Sequence, residues 1–286
     1  MDDAVALVMA GGRGQRFWPL STETRPKQFL DLEGGGRSLL QATVDRVAPL
    51  VGGPQRVLIA TAEAYVDLVR EQVPDLPGAN LLVEPVGRDS APAIALAALQ
   101  VRQRFGDVVM GVFASDHRVA DVAGFQHTVR EAMTLARREN GLVTVGIRPT
   151  RPATGYGYLE RGESLDPGFR VARFVEKPSR ATAEAYLAGG RHLWNAGMFV
   201  WRVEVVLDEL DRHAPELMAP LRAAFESGTV AQRFASLPKI SIDYAVMEKA
   251  TAVHAVAGDF GWDDIGDWLA LERLLPKVEG ASRIVT

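Results

Sequence analysis

A glycine-rich turn near the N-terminus carries residues suited to binding phosphate. Residues 7–30 read LVMAGGRGQRFWPLSTETRPKQFL, an apolar strand that runs directly into this turn. Glycines let the backbone approach a ligand closely, so that successive N–H groups point at an anion. Three cations, Arg13, Arg16 and Lys27, lie in the same segment. The combination predicts a phosphate site rather than a merely tight turn.

The spelling of this turn excludes two common phosphate loops. A P-loop needs a GK[ST] ending, which the chain lacks, and a dinucleotide GxGxxG from Gly12 would need glycine where Phe17 stands. The second mismatch argues against a nicotinamide-dependent oxidoreductase. The sequence also contains neither HExxH nor GxSxG, so metalloprotease and α/β-hydrolase functions have no support.

The elements that must position the turn alternate between strand and helix in the first half of the chain. The predicted strands after the first are 56–61, 80–84, 108–115 and 142–147, and the predicted helices are 38–50, 63–72, 91–105 and 123–140. Ser38 is the expected N-cap of the first helix. Such alternation indicates parallel strands with right-handed crossovers. It predicts an α/β fold with a doubly wound, mostly parallel Rossmann-like sheet.

Ligands of such sheets bind beyond the carboxyl ends of the strands. The glycine turn follows the first predicted strand, EPVGRDSAP follows the third, and SDH follows the fourth. We therefore expect these three motifs to share one crevice.

The alternation breaks at a loop rich in proline and glycine, RPTRPATGYG at residues 148–157. Residues 158–178 then read as an inserted β-rich region. The remaining predicted elements are a helix at 181–188, a strand at LWNAGMFVW, helices over 203–225 and 241–250, a strand at 252–257 and a helix from GWDDIGDW to about residue 275. We expect one catalytic domain over residues 1–275, with halves at about 1–147 and 148–275. Residues 276–286 are expected to be a C-terminal arm or stub.

Composition bounds the class of protein. The 286-residue chain is 47% hydrophobic with a net charge of -4, which suits a folded domain and argues against a nucleic-acid partner. It has no cysteine, so it has no disulfide or thiolate site. The acidic start MDDAVALVMAGG is unlike a leader, and no apolar run approaches the ~20 residues that span a bilayer. We expect a cytoplasmic protein without a membrane partner, and a homodimer is the expected assembly.

Several motifs together resemble those of the sugar-1-phosphate nucleotidylyltransferases. GGRGQRFWPLS with RPKQFL is similar to the signature of that family, and GRDSAPAIA, ASDH, FVEKP, WNAGMF and WDDIG follow in the same order. The resemblance covers about residues 4–270, and the WPLS ending is similar to the members that use GTP and mannose 1-phosphate. It implies a nucleotide-diphospho-sugar transferase fold with a sugar-binding second half. It also implies transfer of GMP from GTP to mannose 1-phosphate with release of pyrophosphate. The alternatives are a relative with another base or sugar and an inactive nucleotide-sugar-binding regulatory homologue.

The reaction of that family requires charge neutralisation more than a general base. The attacking oxygen is already largely ionised at neutral pH, because a phosphate monoester has a second pKa of about 6. Positioning and electrostatics should therefore dominate catalysis. The resemblance implies a backbone wrap of the triphosphate by Gly11, Gly12 and Gly14, neutralisation of pyrophosphate by Arg13 and Arg16, and contact of Lys27 with the reacting phosphates.

A magnesium ion is expected as the cofactor, since Mg²⁺ bridges phosphates and takes only one or two protein carboxylates. The candidates by resemblance are Asp116 and Asp264. Each also has a purely structural interpretation as a residue that caps the element after it. We expect Asp263 to serve as the cap of the last helix.

Base and sugar recognition are expected at two separate motifs. A carboxylate accepts from both N1–H and the amino group of guanine, so Glu84 is either the base reader or a solvated acid. Arg88, Asp89 and Ser90 are expected at the base or ribose, although family members often have Asn-Thr in place of Asp89-Ser90. The expected sugar-phosphate contacts are Gly155, Tyr156, Glu176, Lys177 and Asn195, whose carboxylate, amide and ammonium groups suit hydroxyls and phosphate.

Overall fold

A computed structural model describes residues 3–12 and 17–274. Its strands are β1 (Ala4–Met9), β2 (Val57–Ala62), β3 (Leu81–Glu84), β4 (Val109–Ala114), β5 (Arg118–Val119), β6 (Leu142–Ile147), β7 (Tyr158–Ser164), β8 (Phe169–Val175), β9 (His192–Arg202), β10 (Val253–Gly258) and β11 (Trp262–Asp263). Its α-helices are α1 (Leu39–Val47), α2 (Val66–Gln72), α3 (Ser90–Phe105), α4 (Val122–Glu139), α5 (Arg180–Gly189), α6 (Val203–His213), α7 (Pro215–Glu226), α8 (Val230–Arg233) and α9 (Trp268–Leu274).

A nine-stranded sheet in the order β3-β2-β1-β4-β9-β6-β10-β8-β7 forms the centre of the molecule. The ladders β3–β2, β2–β1, β1–β4 and β6–β10 are parallel, as the alternation of strands and helices predicts. The fold is the expected α/β doubly wound type. Because β1, β2 and β4 are parallel neighbours, their carboxyl ends meet at one edge of the sheet, and the glycine turn lies there.

Strand β9 gives the sheet its mixed character. It comes from the second half of the chain and inserts between β4 and β6, antiparallel to both. The β-rich region also continues this sheet, since β7 pairs with β9 and β8 pairs with β10. The two halves expected at 1–147 and 148–275 therefore contribute strands to a single sheet.

Separate apolar cores cover the two faces of the sheet. Val5 and Leu7 of β1 belong to the core under α3, α6 and α7, whereas Ala6 and Val8 belong to the core under α1 and α4. A strand buried on both faces needs an unbroken apolar run, and AVALVM provides one. This double burial fixes the strand ends that carry the site.

Most predicted boundaries agree with the structure to within two residues. Ser38 caps α1 with a capping box, in which its side chain accepts from the Gln41 amide, as expected. The segment at 241–250 is helical only in part, as a π-helical turn at Asp243–Met247. The predicted arm at 276–286 lies outside the described residues.

The expectation for GWDDIGDW was wrong. Trp262 and Asp263 form strand β11 against β5, and helix α9 begins only at Trp268. Asp263 is therefore not the helix cap, because its carboxylate accepts from the Ile265 amide instead. Asp267 accepts from the Ala270 amide at the start of α9. The two-residue ladder with β5 outweighs the local helical pattern.

Candidate active site

A cavity of about 1140 Å³ opens at the carboxyl ends of β1 to β4. The predicted nucleotide-binding residues that line it are Gly11, Gly12, Glu84, Asp89 and Ser90, together with the predicted metal ligand Asp116. The three motifs expected to share a crevice therefore do so. Arg13, Gly14 and Arg16 lie outside the described residues.

The described part of the glycine turn is held by a side chain to which the sequence analysis gave no role. The amide of Gln28 donates to the carbonyl oxygens of Ala10 at 3.0 Å and Gly12 at 2.8 Å. Gln28 is buried, one residue after Lys27 in the RPKQFL motif. The signal in the sequence was an amide side chain directly after a predicted phosphate-binding lysine. It fixes the path of the turn before any phosphate is present.

Lys27 joins the two predicted metal ligands. Its ammonium donates to Asp116 Oδ2 at 3.1 Å and to the main-chain oxygen of Asp264 at 2.5 Å. Only 4% of Lys27 is exposed, whereas the Asp116 side chain is 41% exposed toward the crevice. Burial alone would raise the pKa of Asp116, but the charge of Lys27, with a smaller effect from His117, holds this pKa below its ordinary value. Asp116 is therefore ionised at neutral pH.

A second, two-stranded sheet brings the carboxylate loops together. Strands β5 and β11 pair antiparallel, with Trp262 opposite Val119 and Asp263 opposite Arg118. The Trp262 indole also donates to His117 Nδ1 at 3.2 Å. Burial lowers the pKa of His117, so this ring is neutral at pH 7 and accepts at Nδ1. The β5–β11 ladder and the Trp262–His117 hydrogen bond thus connect the loops that carry Asp116 and Asp264.

The Asp264 carboxylate is hydrogen-bonded to the TGYGY loop. Tyr156 donates its hydroxyl to Asp264 Oδ1 at 2.6 Å and accepts from Arg151 at 3.0 Å. Burial, reinforced by this hydrogen bond, raises the pKa of Tyr156 far above its ordinary value, so the phenol remains a donor. Tyr156 thus turns toward the predicted metal ligand.

Glu84 is buried at the end of β3, with 4% of its surface exposed. Burial raises the pKa of its carboxyl to about 7. The side chain lies against the glycine turn, since a Cβ placed on Gly11 would come within 3.2 Å of Glu84 Oε1. The interpretation of Glu84 as an ordinary solvated acid is therefore wrong, because the carboxylate faces the crevice from a buried position.

A distant segment completes the wall beside Glu84. The main chain of Ile240 pairs with Arg88 and Ala91, and the Ile242 amide donates to the Ser90 hydroxyl at 2.9 Å. This pairing brings Lys239 to the crevice, a position that was not predicted for any residue of that segment. Asp89 is exposed in the left-handed region with φ 63°, an uncommon conformation for a residue other than glycine.

Three of the predicted sugar-binding residues, Glu176, Lys177 and Asn195, lie around Asp243, a residue that was not predicted from the sequence. Asn195 donates to Asp243 Oδ1 at 3.0 Å and accepts from the Thr144 hydroxyl at 2.8 Å. Glu176 is paired with Lys177 at 3.3 Å, and burial together with the charge of Asp243 raises the pKa of Glu176 to about 7. Asp243 sits on the π-helical turn, a form common at functional sites. Gly155 lies exposed on the neighbouring loop, and a Cβ placed on it would meet no atom within 4 Å.

Comparison with known proteins identifies the family of the chain. Residues 5–280 match the model of the family described as Nucleotidyl transferase, and the chain belongs to that family. A protein from Klebsiella pneumoniae named mannose-1-phosphate guanylyltransferase is 42% identical over an alignment of 288 positions that covers 96% of this chain and 60% of that protein. Xanthan biosynthesis protein XanB of Xanthomonas campestris pv. campestris (strain B100) is 43% identical over 95% of this chain and 59% of its own length. The chain thus spans about 60% of the length of these curated relatives.

A solved structure is similar over most of its length. The protein from Thermus thermophilus named mannose-1-phosphate geranyltransferase is 40% identical, with a TM-score of 0.88. The match covers 95% of this chain and 79% of that one. None of the helices among the described residues has the length and apolar character to cross a membrane.

Proposed function

We propose that this chain transfers GMP from GTP to mannose 1-phosphate, with release of pyrophosphate. The observation that carries the proposal is the convergence of Lys27, Asp116 and Asp264 at the edge of the crevice that Glu84 also lines. A buried cation between two acidic residues supports a site for phosphates and a metal ion at this edge. The names of the relatives support the choice of guanine and mannose.

Asp116 and Asp264 fit a magnesium ion as the cofactor. Among the described residues there is no group of three or more His, Cys, Asp or Glu side chains suited to a metal. A pair of carboxylates suits Mg²⁺, which takes one or two protein ligands and fills its other positions with water and phosphate oxygens. When bound, the ion would neutralise phosphate charge and orient the oxygens of the triphosphate.

The residues of the chain then supply positioning and charge. Gly11 and Gly12 offer backbone N–H groups to the triphosphate, and Arg13, Gly14 and Arg16 extend this contact to the leaving pyrophosphate. Lys27 keeps both carboxylate loops in place and contributes positive charge beside the reacting phosphates. The sugar phosphate attacks the α-phosphorus in line, with its own ionised oxygen as the nucleophile.

Base and sugar are read by different carboxylates in this proposal. Ionised Glu84 accepts from N1–H and the amino group of guanine, and the Arg88–Ser90 segment borders the base and ribose. Glu176 and Asn195 bind sugar hydroxyls with Asp243 behind them, and Lys177 faces the sugar phosphate. Gly155 and Tyr156 belong to the loop on the other side of the sugar.

A substrate panel tests the proposed function. Pyrophosphate release by the full chain is measured for GTP, ATP, UTP and dTTP with mannose 1-phosphate and glucose 1-phosphate. GTP with mannose 1-phosphate should give the highest kcat/KM. Equal rates with all four nucleotides would overturn the guanylyl assignment, and no release with any pair would favour the inactive regulatory homologue.

Lys27→Met should lower kcat by about a hundredfold or more, the scale for loss of one charge-stabilising donor. Lys249→Met is the matched control, because Lys249 donates to the carbonyl oxygen of His213 on the surface. Circular dichroism checks that both variants fold. A Lys27→Met enzyme with the parent kcat would contradict the assignment of Lys27 to the reacting phosphates.

A cytoplasmic location and a homodimer stay predictions.

A further inference from the structure

Tyr156, the first tyrosine of the TGYGY loop, points its hydroxyl toward the predicted metal ligand Asp264. The Tyr156 ring packs edge-on against Trp194 and Trp262, with centroids 5.2 Å and 5.3 Å away. Arg151 lies over the rings of Tyr156 and Trp194 at 5.4 Å and 5.1 Å. These contacts fix the direction of the ring, so its hydroxyl reaches Asp264 Oδ1 at 2.6 Å. A tyrosine that swung over a sugar ring would have to give up all of them.

We propose that Tyr156 is a positioning residue for Asp264 and that it couples the 151–157 loop to the metal-binding carboxylates. The proposal rests on the proposed function, because it takes Asp264 as a metal ligand. A phenol that donates to a carboxylate forms a short, charge-assisted hydrogen bond. Groups that orient a metal ligand in this way raise metal affinity without touching the metal.

Among the described residues, Tyr156 provides the hydrogen bond to the Asp264 carboxylate. The main-chain oxygen of Asp264 accepts from Lys27, but this bond holds the backbone and not the carboxylate. The next residue, Ile265, has φ 42°, so the chain turns sharply just after Asp264. A Cβ on Gly266 would lie 3.1 Å from Asp264 Oδ2, which shows how closely the backbone passes that oxygen. With Oδ1 held by Tyr156, Oδ2 is the oxygen left for a ligand.

Gly157, the residue after Tyr156, contacts the proposed sugar-binding residues Asn195 and Glu176. The Gly157 carbonyl oxygen accepts from the main-chain N–H of Asn195 at 2.8 Å, and a Cβ on Gly157 would come within 2.5 Å of Glu176 Oε2. A sugar held by Glu176 and Asn195 therefore restrains the residue next to Tyr156. Restraint of the loop should in turn fix Asp264, so sugar phosphate and metal ion should strengthen each other's binding. Such coupling is reciprocal by thermodynamic necessity.

Tyr156→Phe removes the hydroxyl and keeps the packed ring. Tyr158→Phe is the matched control, because the Tyr158 hydroxyl donates to Ala153 in the same loop at 2.9 Å and has no bond to Asp264. Mn²⁺ binding is measured by electron paramagnetic resonance, with and without mannose 1-phosphate. We expect Tyr156→Phe to weaken Mn²⁺ binding by about tenfold or more. It should also reduce the effect of mannose 1-phosphate on that affinity, whereas Tyr158→Phe behaves as the parent.

Asp264→Asn separates the two possible failures. If Asp264→Asn loses Mn²⁺ binding while Tyr156→Phe keeps both the parent affinity and the parent coupling, the positioning role is overturned. If Asp264→Asn itself binds Mn²⁺ as the parent does, the metal assignment in the proposed function fails instead. Equal losses in Tyr156→Phe and Tyr158→Phe would show general loosening of the loop and would also overturn the specific role.

Discussion

The side chains of Glu84 and Glu176 are both largely shielded from solvent, and their carboxyl groups reach the same pKa for different reasons. Glu84 has its pKa raised to about 7 by burial alone. Glu176 also reaches about 7, but there the charge of Asp243 adds to burial while Lys177 opposes it. Glu84 thus acts as a single carboxylate, whereas Glu176 belongs to a network with Asp243, Asn195 and Lys177.

The difference matches the ligands proposed for the two walls. Guanine presents two adjacent donors on a rigid planar edge, which one carboxylate satisfies. A sugar presents several hydroxyls in different directions, which need several acceptors and donors. Base specificity should therefore depend mainly on Glu84, whereas sugar specificity should depend on Glu176 together with Asp243, Asn195 and Lys177. Four changes test this contrast, from the largest expected effect to the smallest.

Glu84→Gln should lower kcat/KM for GTP by about a hundredfold or more, because the amide presents an N–H donor to the guanine donors. The preference for GTP over ATP should fall with it, and KM for mannose 1-phosphate should stay unchanged. Glu63→Gln is the control, since Glu63 is exposed and lines the same cavity. An unchanged GTP to ATP ratio in Glu84→Gln would remove Glu84 from base recognition.

The same substitution should stabilise the fold at high pH. The folded pKa of about 7 lies above the ordinary 4.5, so the contribution of Glu84 to stability is full below pH 4.5 and is lost as pH rises through 7. Glu84→Gln removes this loss and should raise the free energy of unfolding at pH 8.5 by about 2 kcal/mol relative to its effect at pH 5. Urea unfolding at both pH values measures the difference. A pH-independent difference would contradict the burial of an ionisable Glu84.

Gly157→Ala and Gly11→Ala compare the backbone support of the two glutamates. The added Cβ would lie 2.5 Å from Glu176 Oε2 in the first variant and 3.2 Å from Glu84 Oε1 in the second. We expect Gly157→Ala to raise KM for mannose 1-phosphate by about tenfold, as displaced hydrogen-bonding groups cost. Gly11→Ala should change KM for GTP less. Steady-state kinetics with each substrate varied in turn measure both KM values. A larger change of KM in Gly11→Ala than in Gly157→Ala would contradict the prediction.

Asp243→Asn should have the smallest effect on rate and a specific effect on pH dependence. Removal of the neighbouring negative charge lowers the pKa of Glu176, so the acid limb for sugar phosphate moves to lower pH. The acid limb for GTP should stay near pH 7, because the pKa of Glu84 is raised by burial and not by a neighbouring charge. Profiles of kcat/KM against pH for both substrates test this, and a shift of both limbs together would argue against two independent walls.

The sequence predicted those parts of the molecule that depend on local pattern. Strands β1, β2, β3, β4 and β6 follow from short apolar runs. Glu84 and Asp116 follow from motifs at the ends of β3 and β4, and Lys27 follows from the RPKQFL motif after the glycine turn. The insertion of β9 between β4 and β6 was not visible, because pairing partners leave no mark on a strand buried on both faces. Residues that act through distant contacts were missed for a related reason.

Asp243 and Lys239 illustrate such contacts. The segment SIDYAVMEKA reads as an ordinary helix, and only the fold shows that its π-helical turn brings Asp243 to Asn195. Lys239 reaches the crevice because Ile240 pairs with Arg88, far earlier in the chain. The direction of Tyr156 likewise depends on a carboxylate 108 residues away. Spacing in the sequence carries no information of this kind.

Because of the short ladder between β5 and β11, the protein should lose its activity before it loses its fold. It joins two-residue strands outside the nine-stranded sheet and packs on the core under α1 and α4 through Val119 and Trp262, so its opening breaks fewer contacts than the opening of that sheet. Opening would let the loops that carry Asp116 and Asp264 drift apart while the rest of the molecule stays native. On gradual heating, turnover should therefore decline at a lower temperature than the cooperative melting of the sheet.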